Sequence, residues 1–112
     1  MKQDVERSLD RHAATPDGCR AVFSFGKDLE VFAGHFPGQP IVPGIYLIEA
    51  VRLAAERSLG TAVRIRTVTD AKFSAIVRPE VEVIVDLALE GLECRATLNG
   101  GTRIRLTLEA RA

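Results

Sequence analysis

Gly44-Ile-Tyr-Leu-Ile-Glu49-Ala-Val-Arg52-Leu-Ala-Ala-Glu56-Arg-Ser-Leu-Gly60 is the stretch that decides the fold. From Ile45 to Ala55 its residues are apolar on nearly every side, with Glu49 and Arg52 as the exceptions. Pro43 suits the first turn, where a missing N–H costs nothing, and Gly60 suits the C-terminal stop. A helix that is apolar almost all round is a buried helix, so something else in the chain must cover it. The last turns, with Arg52, Glu56 and Arg57, are expected to reach water.

Everything after that helix alternates. Val63, Ile65, Thr67 and Thr69 alternate with Arg64, Arg66 and Val68, and Val81 through Leu89 alternate with Glu82 through Glu90. Leu92, Cys94, Ala96 and Leu98 form the apolar set of a third run, and Ile104, Leu106 and Leu108 that of a fourth. Period-2 alternation marks strands with one buried face and one wetter face. Gly91 and Asn99-Gly100-Gly101 supply tight turns, so the last three strands should form an antiparallel meander. Before the helix, Cys19 to Phe25 reads as another strand with Ala21, Phe23 and Phe25 on one face and Val22 on the other. Residues 26–43 read as a structured loop, and residues 1–17 are polar with only a weak hint of a helical turn or strand. The economical arrangement is an α+β domain over 1–112, with one long central helix wrapped by a curved antiparallel sheet.

Length and charge agree with that frame. The chain has 112 residues, 46% hydrophobic and 27% charged, with 15 basic residues against 15 acidic. That is the size of about one domain with one core. Zero formal charge argues against nucleic acid or an anionic membrane as partner. The opening residues show no leader, and no run approaches the ~20 apolar residues that a membrane span needs. A cytoplasmic protein is the expectation. Cys19 and Cys94 are isolated and read as reduced core residues. With only His12 and His35 as imidazoles and no HExxH or Cys/His cluster, a metal site is not expected.

The chemistry concentrates just ahead of the helix, in Gly34-His35-Phe36-Pro37-Gly38-Gln39-Pro40-Ile41-Val42-Pro43-Gly44. Its glycines match neither GxGxxG nor a P-loop. Prolines at 37, 40 and 43 stiffen it, and a stiff loop ending at a helix N-terminus holds a side chain in a defined place. His35 is a base if it is held neutral, or a surface residue. Glu49, among apolar helix neighbours, would lose water, which favours a protonated, donating form; the alternative is a solvated stripe shared with Arg52 and Glu56. At Gly44, free N–H groups of the helix end suit a carbonyl oxygen that gains negative charge.

His35-Phe-Pro-Gly-Gln-Pro-Ile-Val-Pro-Gly44-Ile-Tyr-Leu-Ile-Glu49-Ala resembles the signature of the 3-hydroxyacyl-acyl carrier protein dehydratases of type II fatty-acid synthesis, which have the hot-dog fold. The resemblance runs nearly gap-free from Phe32 to Ala50, with Lys72-Phe73 and Arg78-Pro79-Glu80 as weaker echoes. It implies that His35 removes the proton α to the thioester carbonyl and that Glu49 helps to expel the 3-hydroxyl as water. The Gly44 N–H would polarise the thioester oxygen, with Phe36, Pro43 and Tyr46 near the acyl tunnel and no metal or organic cofactor. Tyr46 is open to two readings, tunnel wall or ordinary core. In this family the site forms across a dimer interface, which implies a homodimer or a hexamer built as a trimer of dimers, with acyl carrier protein as the partner that brings substrate.

Glutamate rather than aspartate at 49 matches the branch that dehydrates without isomerising the double bond. Leu53 stands where the family usually carries a glutamine that supports the helix, which favours specialised polyketide or aryl-polyene assembly as an alternative to housekeeping synthesis. Arg52, Arg64, Arg66, Lys72 and Arg78 are candidate contacts for an acidic carrier, or plain solvated residues. Two rivals stay open: a hot-dog acyl-thioesterase, and a non-catalytic subunit of a dehydratase complex.

Overall fold

In a computed structural model of the chain, residues 1–32 and 40–111 are described. The long helix α2 runs Gly44–Leu59, preceded by Pro43 in extended conformation and closed by Gly60 in the left-handed region (φ 71°). Gly60 donates its N–H to the Glu56 carbonyl at 2.9 Å, which satisfies one of the orphan acceptors of the last turn. Against α2 lies a six-stranded antiparallel sheet, the hot-dog arrangement, in the order β1-β2-β4-β5-β6-β3. The strands are β1 Leu9–Ala14, β2 Gly18–Ser24, β3 Val63–Lys72, β4 Glu82–Glu90, β5 Glu93–Leu98 and β6 Thr102–Ala110. As alternation and turns predicted, β4, β5 and β6 form a meander, with Gly91 and Asn99-Gly100 at positive φ in its turns.

The core is the apolar side of that alternation pressed onto the helix. Phe23, Val83, Val85, Ile104, Leu106 and Leu108 are buried against Ala50, Val51, Ala54 and Ala55. Small residues on the helix allow the sheet to approach closely, and fully burying each large apolar side chain contributes about 1.5–3 kcal/mol. Phe23 stacks on Phe25 at 6.2 Å, and Phe25 meets Tyr46 edge-on at 6.3 Å, so three aromatic rings link β2 to the first turn of α2.

Several expectations change. The polar N-terminal segment forms a short helix, α1 Lys2–Arg7, and the edge strand β1. A single buried side chain, Val5, anchors α1, and one buried residue in six is too few for a periodic signal to appear. Between β2 and α2 the loop contains a 3₁₀ turn, Glu30–Phe32. Val22, expected on the wetter face, is buried too, flanked in the ladder by Arg11 of β1 and Ile84 of β4.

The strand β3 departs most. Its alternation predicts a buried face, yet only Val63 is buried and everything from Arg66 onward is exposed. Two register shifts against β6, at Ile65/Thr67 and Val68/Asp70, break the alternation. The strand is also the edge of the sheet, and its outer side has no strand partner among the described residues. No described helix is long and apolar enough to cross a membrane.

Candidate active site

Two features of α2 carry the candidate site, and they lie on different sides of the helix. The first is its N-terminus. The approaching chain is pinned where the Val42 N–H donates to the Val77 carbonyl at 2.7 Å. Pro43 then turns the backbone into the helix, and the Tyr46 N–H reaches back to the Pro43 carbonyl at 3.0 Å. Around this turn opens an apolar cleft of about 440 Å³, whose walls include Ile41, Pro43, Gly44, Ile48, Phe73 and Ile76. A helix N-terminus opening on an apolar cleft combines N–H dipoles with a surface suited to an acyl chain.

Glycine at 44 lets the Phe73 ring rest against the start of the helix. A Cβ there would lie 2.8 Å from Cζ of Phe73, whose ring rests on the glycine. Gly44→Ala should therefore overpack the turn and cost about 1–3 kcal/mol. Adding Phe73→Leu should recover most of the loss. Thermal melts of the single and double variants check this; equal melting temperatures for wild type and Gly44→Ala would show that the ring yields freely.

The second feature is Glu49, which lies about 140° around the helix from Gly44 at 3.6 residues per turn. Glu49 is 4% exposed and Arg52 6% exposed. Arg52 Nε donates to both Glu49 carboxylate oxygens at 2.9 Å, and its Nη2 donates to Oε2 at 2.7 Å. Nη1 donates to Glu56 Oε2 at 2.5 Å and to the Val63 carbonyl at 2.9 Å, while the Val63 N–H donates to the same Glu56 oxygen at 3.1 Å. The network ties the middle of α2 to the first residue of β3. The hydrogen bonds it donates to Glu49 lead in holding the Arg52 guanidinium more strongly protonated than usual, against the opposing effect of burial. Burial pushes the Glu56 carboxyl up, but the Val63 N–H and Arg52 outweigh it and leave Glu56 below the ordinary carboxylate range.

This corrects both readings of Glu49. It is neither a lone desolvated carboxyl nor part of a solvated stripe; it is buried with a guanidinium forked onto it. Arg52 is equally displaced from its expected place. It is 6% exposed and closed to a carrier protein, because all three of its side-chain nitrogens donate inside the fold. The i, i+3, i+7 spacing of Glu49, Arg52 and Glu56 was the available signal, and it reads the same for a wet stripe as for a buried one.

Of the remaining candidates, Pro43 and Gly44 line the cleft. Tyr46 does not, and its ring sits in the core against Phe25. Burial, then the nearby Asp4 carboxylate, raises its phenol. His35 and Phe36 lie outside the described residues. Phe73, only an echo in the sequence, emerges as a wall of the cleft.

Arg64 pairs with Glu109 at 2.9 Å, whereas Arg66, Lys72 and Arg78 are exposed. Cys19 and Cys94 are buried free thiols; burial, with the charge of Cys19 adding, pushes Cys94 up to about 11, so it is no nucleophile near neutral pH. Among the described residues no three His, Cys, Asp or Glu side chains gather as a metal site.

The chain is 44% identical over 55 residues to the 3-hydroxyacyl-(acyl-carrier-protein) dehydratase FabZ of Lactiplantibacillus plantarum, covering 43% of this chain and 37% of that protein. It is 39% identical over 85 residues to the FabZ of Novosphingobium aromaticivorans, covering 68% of this chain and 52% of that protein. The matches thus span about half or less of those relatives' length.

Among solved structures, the dehydratase heterocomplex ApeI:P from Xenorhabdus doucetiae superposes with a TM-score of 0.75 at 19% identity, over 92% of this chain and 96% of that one. An uncharacterized protein from Erwinia carotovora subsp. atroseptica gives 0.71 at 18% identity, over 91% and 92% of the two chains. Both establish the fold. A family model described as ApeI-like, ApeI dehydratase, matches residues 11–109, nearly the whole chain, and the protein therefore belongs to the ApeI-like dehydratase family.

Proposed function

We propose that this protein is a dehydratase that removes water from (3R)-3-hydroxyacyl thioesters carried on acyl carrier protein, giving trans-2-enoyl thioesters in fatty-acid or specialised polyketide and aryl-polyene assembly. The observation that carries the reading is family membership over residues 11–109 in a chain that keeps His35, Gly44 and Glu49 at the dehydratase spacing. In the reaction His35 takes the proton α to the thioester, the Gly44 N–H stabilises charge on the carbonyl oxygen, and the C3–O bond breaks. The C3 hydroxyl, held at Glu49, takes up the proton that His35 removed and leaves as water, so His35 is restored, one water is lost and one double bond forms. The apolar cleft beside Gly44 would receive the acyl chain.

The positions of Gly44 and Glu49, on different sides of one helix, support a site completed by a second copy. The two-fold contact is assigned to β3, whose outer edge has no strand partner among the described residues and whose Val68 is exposed, with Phe73 and Ile76 exposed just beyond it. A homodimer is the expected unit, and a trimer of dimers its larger form. Exposed Arg66, Lys72 and Arg78 are the basic groups left to meet an acidic carrier in the cytoplasm.

One observation favours a second reading. The fork from Arg52 already occupies both oxygens of Glu49, and one structural relative is a heterocomplex. On that reading the chain is a non-catalytic subunit that pairs with an active dehydratase chain.

Purified protein incubated with 3-hydroxyacyl-carrier proteins of short, medium and aryl chains, followed by intact-mass spectrometry of the carrier, separates these outcomes. Loss of one water, reversed when enoyl carrier is supplied, supports the dehydratase. Release of free carrier thiol would instead make it a thioesterase, and no change with the protein folded would support the subunit reading.

A further inference from the structure

We propose that Arg52 is a positioning residue for the reaction: its guanidinium, buried between Glu49, Glu56 and the Val63 carbonyl, fixes the direction in which the Glu49 carboxylate faces the substrate. The inference rests on the dehydratase reading above and adds a residue to it.

Three hydrogen bonds join Arg52 to Glu49, two from Nε and one from Nη2. A carboxylate otherwise turns freely about its last torsion, which has a broad two-fold profile. Here any turn breaks bonds to a planar donor fork that is itself fixed at two further acceptors. Those acceptors differ in kind. Glu56 lies one turn further along the helix, and Val63 begins β3, so Arg52 is held by two separate elements.

Stability does not explain the arrangement. Buried ion pairs seldom outperform apolar residues of similar volume, because the cost of desolvation offsets the attraction. The neighbours of this pair on α2 are Ala50, Val51, Leu53 and Ala54, all buried. A pair of apolar side chains would fit that surface at least as well. No buried side-chain polar atom among the described residues lacks a partner, so the network is complete within the chain and needs no outside group to hold Glu49 in place. What it supplies is a carboxylate with one orientation, and misplacement of a reacting group by ~1 Å is enough to cost about 10²-fold in rate.

The test is a double-mutant cycle measured with 3-hydroxyacyl-carrier protein on the full-length chain. Arg52→Lys keeps the charge but loses the fork. It should lower kcat about 10-fold or more, leave KM within about twofold, and leave the oligomer intact. In a Glu49→Gln background, with residual turnover followed at high enzyme concentration, the same substitution should change kcat by less than about twofold, since a residue acting through Glu49 has nothing left to act on.

An unchanged kcat in Arg52→Lys, or an equal loss in both backgrounds, overturns the inference and leaves the dehydratase reading standing. If Arg52→Lys does not fold, Glu49→Gln is compared with Glu49→Gln/Arg52→Gln, which removes both forked charges; a further fall in kcat overturns the inference and an equal kcat supports it. A wild-type protein that releases no water overturns the dehydratase reading, and this inference with it.

Discussion

Replacing Arg52 by leucine while Glu49 stays in place should lower stability by about 3–5 kcal/mol, the usual consequence of stranding one member of a buried ion pair. For a domain of this size that is a fall in melting temperature of roughly 12 °C or more. The reason is local. Glu49 is almost wholly buried, and Arg52 is its only ion-pair partner among the described residues. The same substitution strips Glu56 of its guanidinium and frees the Val63 carbonyl. The double variant Arg52→Leu/Glu49→Leu should recover most of the loss, because two apolar side chains then fill a site bounded by Leu, Val and Ala. A single variant that melts within a few degrees of wild type would mean that water reaches Glu49 readily.

Acid should weaken the same network. Glu56 is held below its ordinary range in the folded state. Its stabilisation is complete above the unfolded carboxylate range and is lost as pH falls through that range to the lower folded value. Wild type should therefore lose more stability below that range than Glu56→Gln does, and chemical denaturation at stepped pH measures the difference.

The second large effect is on turnover. His35→Ala should reduce kcat by about 10²–10⁴-fold while the protein stays folded and its oligomer intact, the range lost when a positioned general base is removed. The motivation is its setting in the sequence, a stretch with prolines at 37, 40 and 43 just ahead of the helix. Glu49→Gln should preserve shape and still lose most turnover. A folded His35→Ala protein with wild-type rates would remove His35 from the mechanism, and an unchanged Glu49→Gln would reduce Glu49 to a packing residue. Mass analysis of the carrier and light scattering of the variants report both quantities.

Much of this was legible in the chain because period and turn chemistry are local. Alternation from Glu82 to Ala110, with glycines at the turns, specifies a meander, and an apolar run between Pro43 and Gly60 specifies a buried helix. The features that escaped depend on partners distant in sequence. The exposure of β3 follows from its place at the edge and from its two register shifts against β6, neither of which its own residues announce. The burial of Arg52 follows from Val63 arriving eleven residues later to accept its hydrogen bond. The aromatic contact that draws Tyr46 into the core comes from Phe25, just past the end of β2. For the site itself, the residue types and spacing were readable in the sequence. Which of them share a cleft, and which pair with one another, was set by packing.

The two borders of the sheet are unlike, and that bears on how assembly stops. The β1 border is six residues long, interrupted between Leu9 and Arg11, and carries Asp10, Arg11 and His12. Short, charged and irregular borders resist templating by another chain. The β3 border is ten residues long and has no strand partner among the described residues. Joining two copies through β3 about a two-fold axis uses up both long borders at once and leaves only β1 at the extremities. Such a contact closes on itself. In the dimer proposed above, two copies would share one continuous sheet without becoming the seed of a fibre.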